Sequence, residues 1–522
     1  MLAKPTDIFF RPRLVEVPPL DVTEFGARRA LIVAGVMMAA LLQTLDATIV
    51  NVALPTIEGN IGAAIDDGTW IITGYIISNV VTIPLVPYML QRFGRRQYYA
   101  ACIIGFTIAS LLCGTASSLT TMVLFRVVQG AFGGGLIATS QIILRDTFGS
   151  KKIGTSSALF GIALTVGPAL GPTVGGYLTD SFSWPWVFDI NLIPGVLAAF
   201  IVLTTVRNPS PPKAMGLDVG GVALLVTALG SMQFVLDEGE RNDWFDDGRI
   251  VFFTITFVLG LIGFILWELR GARAPIVDLR IFRYSNVRFG TLVAILLGIV
   301  IFGPIVMLPQ YVQGVLGFTA TLSGMLIFTR ALPVLLLTPL VARLATKLDF
   351  RLLLVTGFVL SAIGFVAIAM HMTTESEFGT FAPLLFLSGI GQAMLLVPLL
   401  VGMFSSVPPV DAPKASSFIS LSVQLGGSIA STMLVTIFDR RTYFHSDNLR
   451  GALTLAHPML LQLSLRPGAA ARLARLLQQQ AVNAGFADAI YALVPMALVG
   501  VAAVLAMRRP KAVLSAPIVI GE

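Results

Sequence analysis

The sequence predicts an all-α polytopic membrane protein, and three observations carry that class. Of its 522 residues 56% are hydrophobic and only 12% charged, where soluble domains average about 25% charged. The mean hydropathy is +0.85. Apolar runs of roughly 20 residues follow one another along the chain, each long enough to cross a hydrocarbon core.

The runs divide into fourteen expected spans: 30–52, 69–90, 98–117, 120–143, 154–178, 185–206, 218–236, 250–269, 289–312, 322–345, 352–371, 380–403, 415–437 and 485–507. A polar tail, 1–28, precedes the first span, with no short apolar region and cleavage site of a signal peptide ahead of it. Basic residues orient the spans. With both ends cytoplasmic, 25 Lys and Arg fall in inner segments and 8 in outer ones, six of the 8 in the long outer loop 438–484. Arg126 and Arg330 lie inside spans. This distribution explains the net charge of +7 without a nucleic-acid partner. Cys102 and Cys113 share one span, which excludes a disulfide framework. His371, His445 and His457 are scattered at or beyond outer span ends, so no metal site is expected. The outer segment 237–247, "DEGERNDWFDD", is acidic.

A weak internal repeat organises the spans. "PLVPYMLQRFGRR" from Pro84 aligns with "PLVARLATKLDFR" from Pro339 at an offset of 255 residues, both at a span end before a short basic loop. The offset pairs Arg92 with Lys347 and Arg96 with Arg351, and Tyr75 with Arg330. Two six-span bundles, 29–207 and 289–507, are therefore expected, with two additional spans in 208–288 and a second cytoplasmic tail, 508–522. Such duplicated scaffolds rock about a site near the midplane.

Charges inside spans are the functional candidates, since each costs at least about 2.5–3.5 kcal/mol at a helix centre on insertion scales. Asp46 sits in span 1 with Gln43 one turn before it. Arg126 sits in span 4 with Gln129 at i+3, and Gly130, Gly133 and Gly134 let a neighbour or a cavity come close. One acid and one base in the same bundle make a pair, either a structural ion pair or a switch in which protonation of Asp46 releases Arg126. Arg330 in span 10 has no acid on its own helix. It either bonds carbonyls freed by Pro333 or lines a cavity that attracts anionic substrates. Asp189, opening span 6, is close enough to the outer interface to be solvated. Gln43, Trp70, Tyr75, Asn79, Gln310, Tyr311, Gln313, Gln392, Met394 and Gln424 are amide, aromatic and thioether side chains that either line a loosely selective path for small molecules or pack between helices.

Several motifs together resemble one family. "LDATIVNVALP" (45–55), "RVVQG" (126–130), "GPALGPTVGG" (167–176), "WPWVFDINLIPG" (184–195) and "GFTATLSGMLIFTRALPVLLLTPLVARLATKLDFRLL" (317–353) are similar to signatures of the major facilitator superfamily, specifically its 14-span drug:proton antiporters of the EmrB/QacA type. The resemblance covers spans 1–14 and is stronger to the EmrB branch. It implies the major facilitator fold and proton-driven export of toxic amphipathic compounds, hence antibiotic resistance, with no cofactor and no enzyme activity. It also implies proton coupling through Asp46, Arg126 and Gln129, and an antiporter motif at Gly167, Pro168, Gly171, Pro172, Gly175 and Gly176. That glycine stripe is expected to seal span 5 against the opposite bundle, with the prolines bending it. Arg92, Gly94, Arg95 and Arg96 match the family's cytoplasmic gating loop. Gln91 replaces its usual Asp, and Pro87 its Gly, which leaves a carboxylate latch from this loop in doubt. The EmrB resemblance further implies a periplasmic adaptor and an outer-membrane channel as partners in a Gram-negative inner membrane. Within 438–484, "ARLARLLQQQAVNAG" reads as an amphipathic helix, with Leu473, Leu476 and Leu477 to one side, that could dock an adaptor or lie on the membrane lipids. Export of an endogenous metabolite, siderophore or lipid-like molecule fits the same machinery. A membrane sensor or enzyme is disfavoured, because no nucleophile–base constellation or phosphate loop is present.

Overall fold

In the computed structural model, residues 23–63, 68, 70–149, 152–209, 211, 218–271, 277–404, 406–408, 411–456 and 469–508 are described. Their regular secondary structure is entirely helical: α1 (Gly26–Ile61), α2 (Trp70–Thr82), α3 (Val86–Phe93), α4 (Arg95–Gly114), α5 (Leu119–Phe148), α6 (Ile153–Ser181), α7 (Trp186–Asp189), α8 (Leu192–Thr205), α9 (Val219–Glu238), α10 (Gly248–Leu266), α11 (Ser285–Gly314), α12 (Ala320–Lys347), α13 (Phe350–Met370), α14 (Phe378–Ala393), α15 (Leu396–Phe404), α16 (Ala412–Ala456), α17 (Ala469–Tyr491) and α18 (Leu493–Leu505). Short 3₁₀ and π segments join some of them. Among the described residues fourteen stretches are long and apolar enough to cross a membrane, as expected, and the protein is a multi-pass membrane protein.

Local chemistry accounts for the breaks. Pro84 lacks an N–H and sits in a 3₁₀ turn, Ile83–Leu85, that splits the second span into α2 and α3. Its counterpart Pro339 stays inside the unbroken α12. Ser118 and Thr121 form a reciprocal capping box at the start of α5. Asp349 accepts from the Arg351 N–H to start α13.

Within the first bundle α1 lies along α6 and α8, and α5 along α2 and α4; in the second, α11 lies along α16 and α18, and α12 along α14. The two basic loops are tied alike. The Arg95 Nε donates to the Arg207 carbonyl just past α8, at 2.5 Å. Arg351 donates to the Met507 carbonyl just past α18, at 3.1 Å. Each loop between the second and third spans of a half is thus fastened to the end of that half's sixth span.

The halves meet at both ends of their long axis. At the end bearing the basic loops, Ser416 of α16 hydrogen-bonds Gln141 of α5, and Arg145 stacks 5.0 Å from the Phe404 ring of α15. At the other end Thr173 of α6 packs directly on Gly324 of α12. The extra helices α9 and α10 pair with each other, and α9 also reaches α2 and α16, one from each half.

Two expectations change here. The outer segment after span 7 does not begin at 237: Asp237 and Glu238 are the last turn of α9. The segment 438–484 is largely helical, because α16 runs 45 residues to Ala456 and α17 begins at Ala469. At 1.5 Å per residue α16 is about 68 Å long, more than twice a hydrocarbon core. In α17 Leu473, Leu476 and Leu477 stand at i, i+3 and i+4 and share one face, as expected, with Leu473 and Leu477 half-buried and Leu476, at the edge of that face, 57% exposed. His457 lies outside the described residues.

Candidate functional site

Asp46 and Arg126 are the centre of the site, brought together by the packing of α5 against α1. Both are sealed from solvent, at 0% and 1% exposure. Arg126 Nη1 contacts Asp46 Oδ2 at 2.7 Å and also donates to Gln129 Oε1 at 2.7 Å. Its Nε donates to the Ile71 carbonyl at 3.1 Å. The guanidinium carbon stands 4.1 Å from the Tyr75 ring centroid and 5.8 Å from that of Phe188. The three residues singled out for coupling are therefore one constellation, with Tyr75 from the lining set beneath the cation.

Two partners escaped sequence reasoning. The Asn191 amide donates to Asp46 Oδ1 at 3.1 Å and to Ser110 Oγ at 2.9 Å, and Ser110 donates to the Phe188 carbonyl at 2.9 Å. Gln129 Nε2 donates to the same Asp46 oxygen at 2.9 Å. Asp46 thus accepts from three donors, an arrangement that fits an ionised carboxylate. Asn191 stands two residues after Asp189 in an otherwise apolar stretch, and that lone amide was the available signal. Asp189 itself is half-buried beside Gly114 and does not join the cluster.

The glycines of α5 admit a helix rather than hold open a space. A Cβ at Gly130 or Gly134 would strike the backbone of α2 at Tyr75 and Asn79, and one at Gly133 would press on the Tyr75 hydroxyl and Asn79 amide. Around this contact Gln43 Oε1, Tyr75 Oη and Asn79 Nδ2 are buried with no partner within hydrogen-bond distance, the Gln43 side chain being directed at the Tyr75 hydroxyl. These three candidate lining residues therefore present unspent polar atoms together, on α1 and α2.

The expectation for the glycine stripe is corrected. Gly167, Gly171 and Gly175 face α1 of their own bundle: Cβ atoms there would meet Thr44, Thr48 and the Ile49 carbonyl. The Thr44 hydroxyl also bonds the Ala163 carbonyl across the same seam, at 3.1 Å. α6 does pack along α12 and α15 of the other half, as expected of span 5, but through residues such as Ala158, Gly161 and Thr173 and not through the stripe. Gly176 is buried, and Pro168 and Pro172 lie within a continuous α6.

Arg330 is 4% exposed, and its carbonyl partners belong to a neighbouring helix. Nη2 donates to Val300 at 2.7 Å and Nη1 to Ile301 at 3.0 Å, both on α11. Pro304, not Pro333, explains the first of these, because Pro304 has no N–H to offer the Val300 carbonyl four residues earlier. Arg330 Nε has no partner, nor does Gln392 Oε1 on α14.

Other lining candidates separate from this group. Tyr311 is fully buried, its hydroxyl 2.8 Å from the Thr373 carbonyl and 3.2 Å from Asn483 Oδ1, its ring between Phe381 and Phe486. It packs the second bundle instead of lining a path. Gln310 and Gln313 are exposed near the end of α11, and Gln313 donates to Ser323 at 3.2 Å. Trp70 packs on Phe234 of α9, with ring centroids 5.7 Å apart. Gln424 is half-buried on α16.

In the gating loop Arg92 and Arg96 are exposed, Gly94 takes φ +79°, and Arg95 is buried. The carboxylate missing at Gln91 is supplied from elsewhere: Asp146, at the end of α5, accepts from Arg95 Nη1 at 2.9 Å.

Known proteins agree with this architecture. The model of the Major Facilitator Superfamily matches residues 36–438, and the chain belongs to that superfamily of membrane transporters. It is 35% identical over 434 residues to the multidrug export protein EmrB of Escherichia coli (strain K12), covering 83% of this chain and 85% of that one. It is 33% identical over 439 residues to the fatty acid resistance protein FarB of Neisseria gonorrhoeae, covering 83% and 84%. Among solved structures, the human organic anion transporter MFSD10 (TETRAN) aligns with a TM-score of 0.61 at 16% identity, over 91% of this chain and 99% of that one. The proton:xylose symporter XylE, bound to 6-bromo-6-deoxy-D-glucose, aligns with a TM-score of 0.60 at 13% identity, over 92% and 96%. These two likenesses concern the fold.

Proposed function

We propose that this protein exports amphipathic toxic compounds outward across a bacterial inner membrane in exchange for protons, both termini being cytoplasmic. The observation that carries this reading is the sealed constellation of Asp46, Arg126, Gln129 and Asn191. A carboxylate held by one cation and two amides can exist in two states. Ionised, it ties α1 to α5 and α8. Protonated, it no longer attracts Arg126, and the ties between the helices loosen. The proton thereby biases one bundle, and the bundle's packing on α12, α15 and α16 passes the bias to the other half. Gln43, Tyr75, Asn79, Gln392 and Arg330, with unspent polar atoms on both halves, are the groups assigned to substrate.

The relatives named for multidrug export support drug-like cargo. A second reading is favoured by two specific observations: a relative named for fatty acid resistance, and Arg330, which pairs with no acid among the described residues. On that reading the cargo is a lipid-like or metabolic carboxylate. The helical extension formed by α16 and α17, where Tyr443 is 78% and Phe444 50% exposed, is the surface we assign to a periplasmic adaptor leading to an outer-membrane channel. A deletion strain tests the cargo. Drug export predicts hypersensitivity to several unrelated amphiphiles, whereas retention of one endogenous compound with unchanged drug susceptibility overturns it.

A further inference from the structure

A second polar junction lies away from Asp46, where α9 touches both halves. Gln233 is fully buried in α9, and its Nε2 donates to Asp237 Oδ1 one turn on, at 2.9 Å, and to Ser428 Oγ of α16, at 3.0 Å. The Thr432 hydroxyl of α16 donates to the Leu236 carbonyl at 2.6 Å. From α2 the Thr73 hydroxyl reaches Asp237. Asp237 therefore sits where a helix of each bundle meets the accessory span, at the end of the molecule opposite the basic loops.

The junction is short of a donor. Asp237 Oδ2 and Gln233 Oε1 are both buried and both lack a partner. The charged groups around it do not supply one. Arg241 lies 3.5 Å from Glu238, and Arg249 lies 2.8 Å from Asp247. Glu240 accepts from the Trp244 ring N–H and stands near Asp439 of α16, and Glu58 of α1 faces Arg241. What α2 and α16 themselves direct at Asp237 and Gln233 is uncharged: Thr73 and Ser428. Among the described residues no base is ion-paired with Asp237. A carboxyl and a primary amide form a closed ring when the amide N–H donates to one acid oxygen and the acid O–H donates to the amide oxygen. Half of that ring is already present, and its two remaining atoms are the two unpartnered acceptors.

We propose that Asp237 is a second proton-binding site, separate from Asp46, and that its proton completes the acid–amide pair with Gln233 and fastens α9 between α2 and α16. A proton arriving from the far side binds Oδ2 and gives the junction the donor it lacks. When it leaves, a carboxylate oxygen faces the Gln233 carbonyl oxygen, two acceptors repel, and α9 releases the bundles. The accessory helices then act as a proton-controlled clasp. This rests on the antiport reading above.

The test measures protons moved per substrate, and the accumulation ratio, in proteoliposomes with the membrane potential clamped. Wild type is compared with Asp46→Asn, Asp237→Asn, Asp237→Glu and Gln233→Leu. Asp237→Asn keeps the size and supplies a permanent donor, so it is expected to fold and transport while moving one proton fewer. Under a pH difference of one unit its limiting accumulation falls about tenfold, the effect of one proton. Asp237→Glu keeps the wild-type ratio. Gln233→Leu keeps the ratio but moves the pH midpoint, which a merely structural Asp237 would not do. Unchanged ratio and pH profile in both Asp237→Asn and Gln233→Leu overturn the inference while leaving Asp46 untouched, provided Asp46→Asn abolishes proton movement. If wild type moves no protons at all, the antiport reading and this inference fall together.

Discussion

Asn191 and Asp46 are joined across α8 and α1 by an amide–carboxylate hydrogen bond of 3.1 Å, and the same amide reaches back to Ser110 of α4. Asn191 thereby holds Oδ1, the oxygen that Arg126 does not contact. Removing one donor to a buried charged group costs about 1–3 kcal/mol. Asn191→Ala is therefore expected to loosen the start of α8 from α1 and to lower coupled transport well below wild type, with the protein still inserted, while Asn191→Asp or Asn191→Gln does not restore the Ser110 and Asp46 bonds together. Uphill transport and membrane-fraction assays check it.

Gly171 packs against Thr48, two residues beyond Asp46, with the Ile49 amide 3.2 Å from where its Cβ would stand. Gly171→Leu is expected to push α6 away from α1 and abolish transport, with membrane insertion and expression close to wild type. The comparison substitution is Leu170→Ala, at a position 36% exposed, which should leave transport intact. Efflux and membrane-fraction assays read both.

Arg330 closes a gap in α11 that Pro304 opens. Arg330→Gln removes two charge-assisted bonds and is expected to lower stability by about 1.5–3 kcal/mol per bond lost, seen as a reduced unfolding temperature. If Arg330 also faces cargo, binding of anionic compounds falls more than binding of cationic ones. Equal loss for both assigns it to packing alone.

Near the basic loops, Lys414 Nζ contacts Asp278 Oδ2 and Asp411 Oδ1, both at 2.8 Å, tying the segment before α11 to the start of α16. Partial burial acts to raise the Asp278 carboxyl, but hydrogen bonding and attraction to Lys414, with help from Arg280, hold it below its usual range. A depressed carboxyl contributes stability above its unfolded value, about 3.9, and loses it as pH falls through the lower folded value. The tie is therefore expected to persist at neutral pH and weaken only below about pH 4. Lys414→Met should remove it at every pH, which cross-linking between the segment and α16 would report.

Much of the architecture was legible because lipid makes each span an apolar run of set length, and because basic residues gather at one end of the spans. The central pair was legible too, since Asp46 and Arg126 are costly in a membrane and so stand out in the sequence. What could not be read was direction in space. Small residues at every fourth position declare a close contact but not its partner, so Gly167, Gly171 and Gly175 do not reveal that they face α1 of their own bundle and not the opposite half. A proline announces a freed carbonyl but not the side chain that reaches it, which is why Pro333 on the same helix suggests itself for Arg330 when the acceptors are on α11 beside Pro304. Asn191, Asp146 and Asp237 are ordinary polar residues near span ends, and only packing distinguishes them from solvated ones. Tyr311 looked like a path residue because its chemistry suits one, but its hydroxyl is already spent on Thr373 and Asn483.

The central claim, that a proton on Asp46 drives export, is tested most directly by uphill substrate movement in proteoliposomes under an imposed pH gradient, with Asp46→Asn beside wild type. The account predicts that wild type accumulates substrate against its gradient and that Asp46→Asn, still folded and still binding substrate, accumulates at least about tenfold less for each unit of pH difference. Uphill accumulation by Asp46→Asn equal to wild type would contradict it.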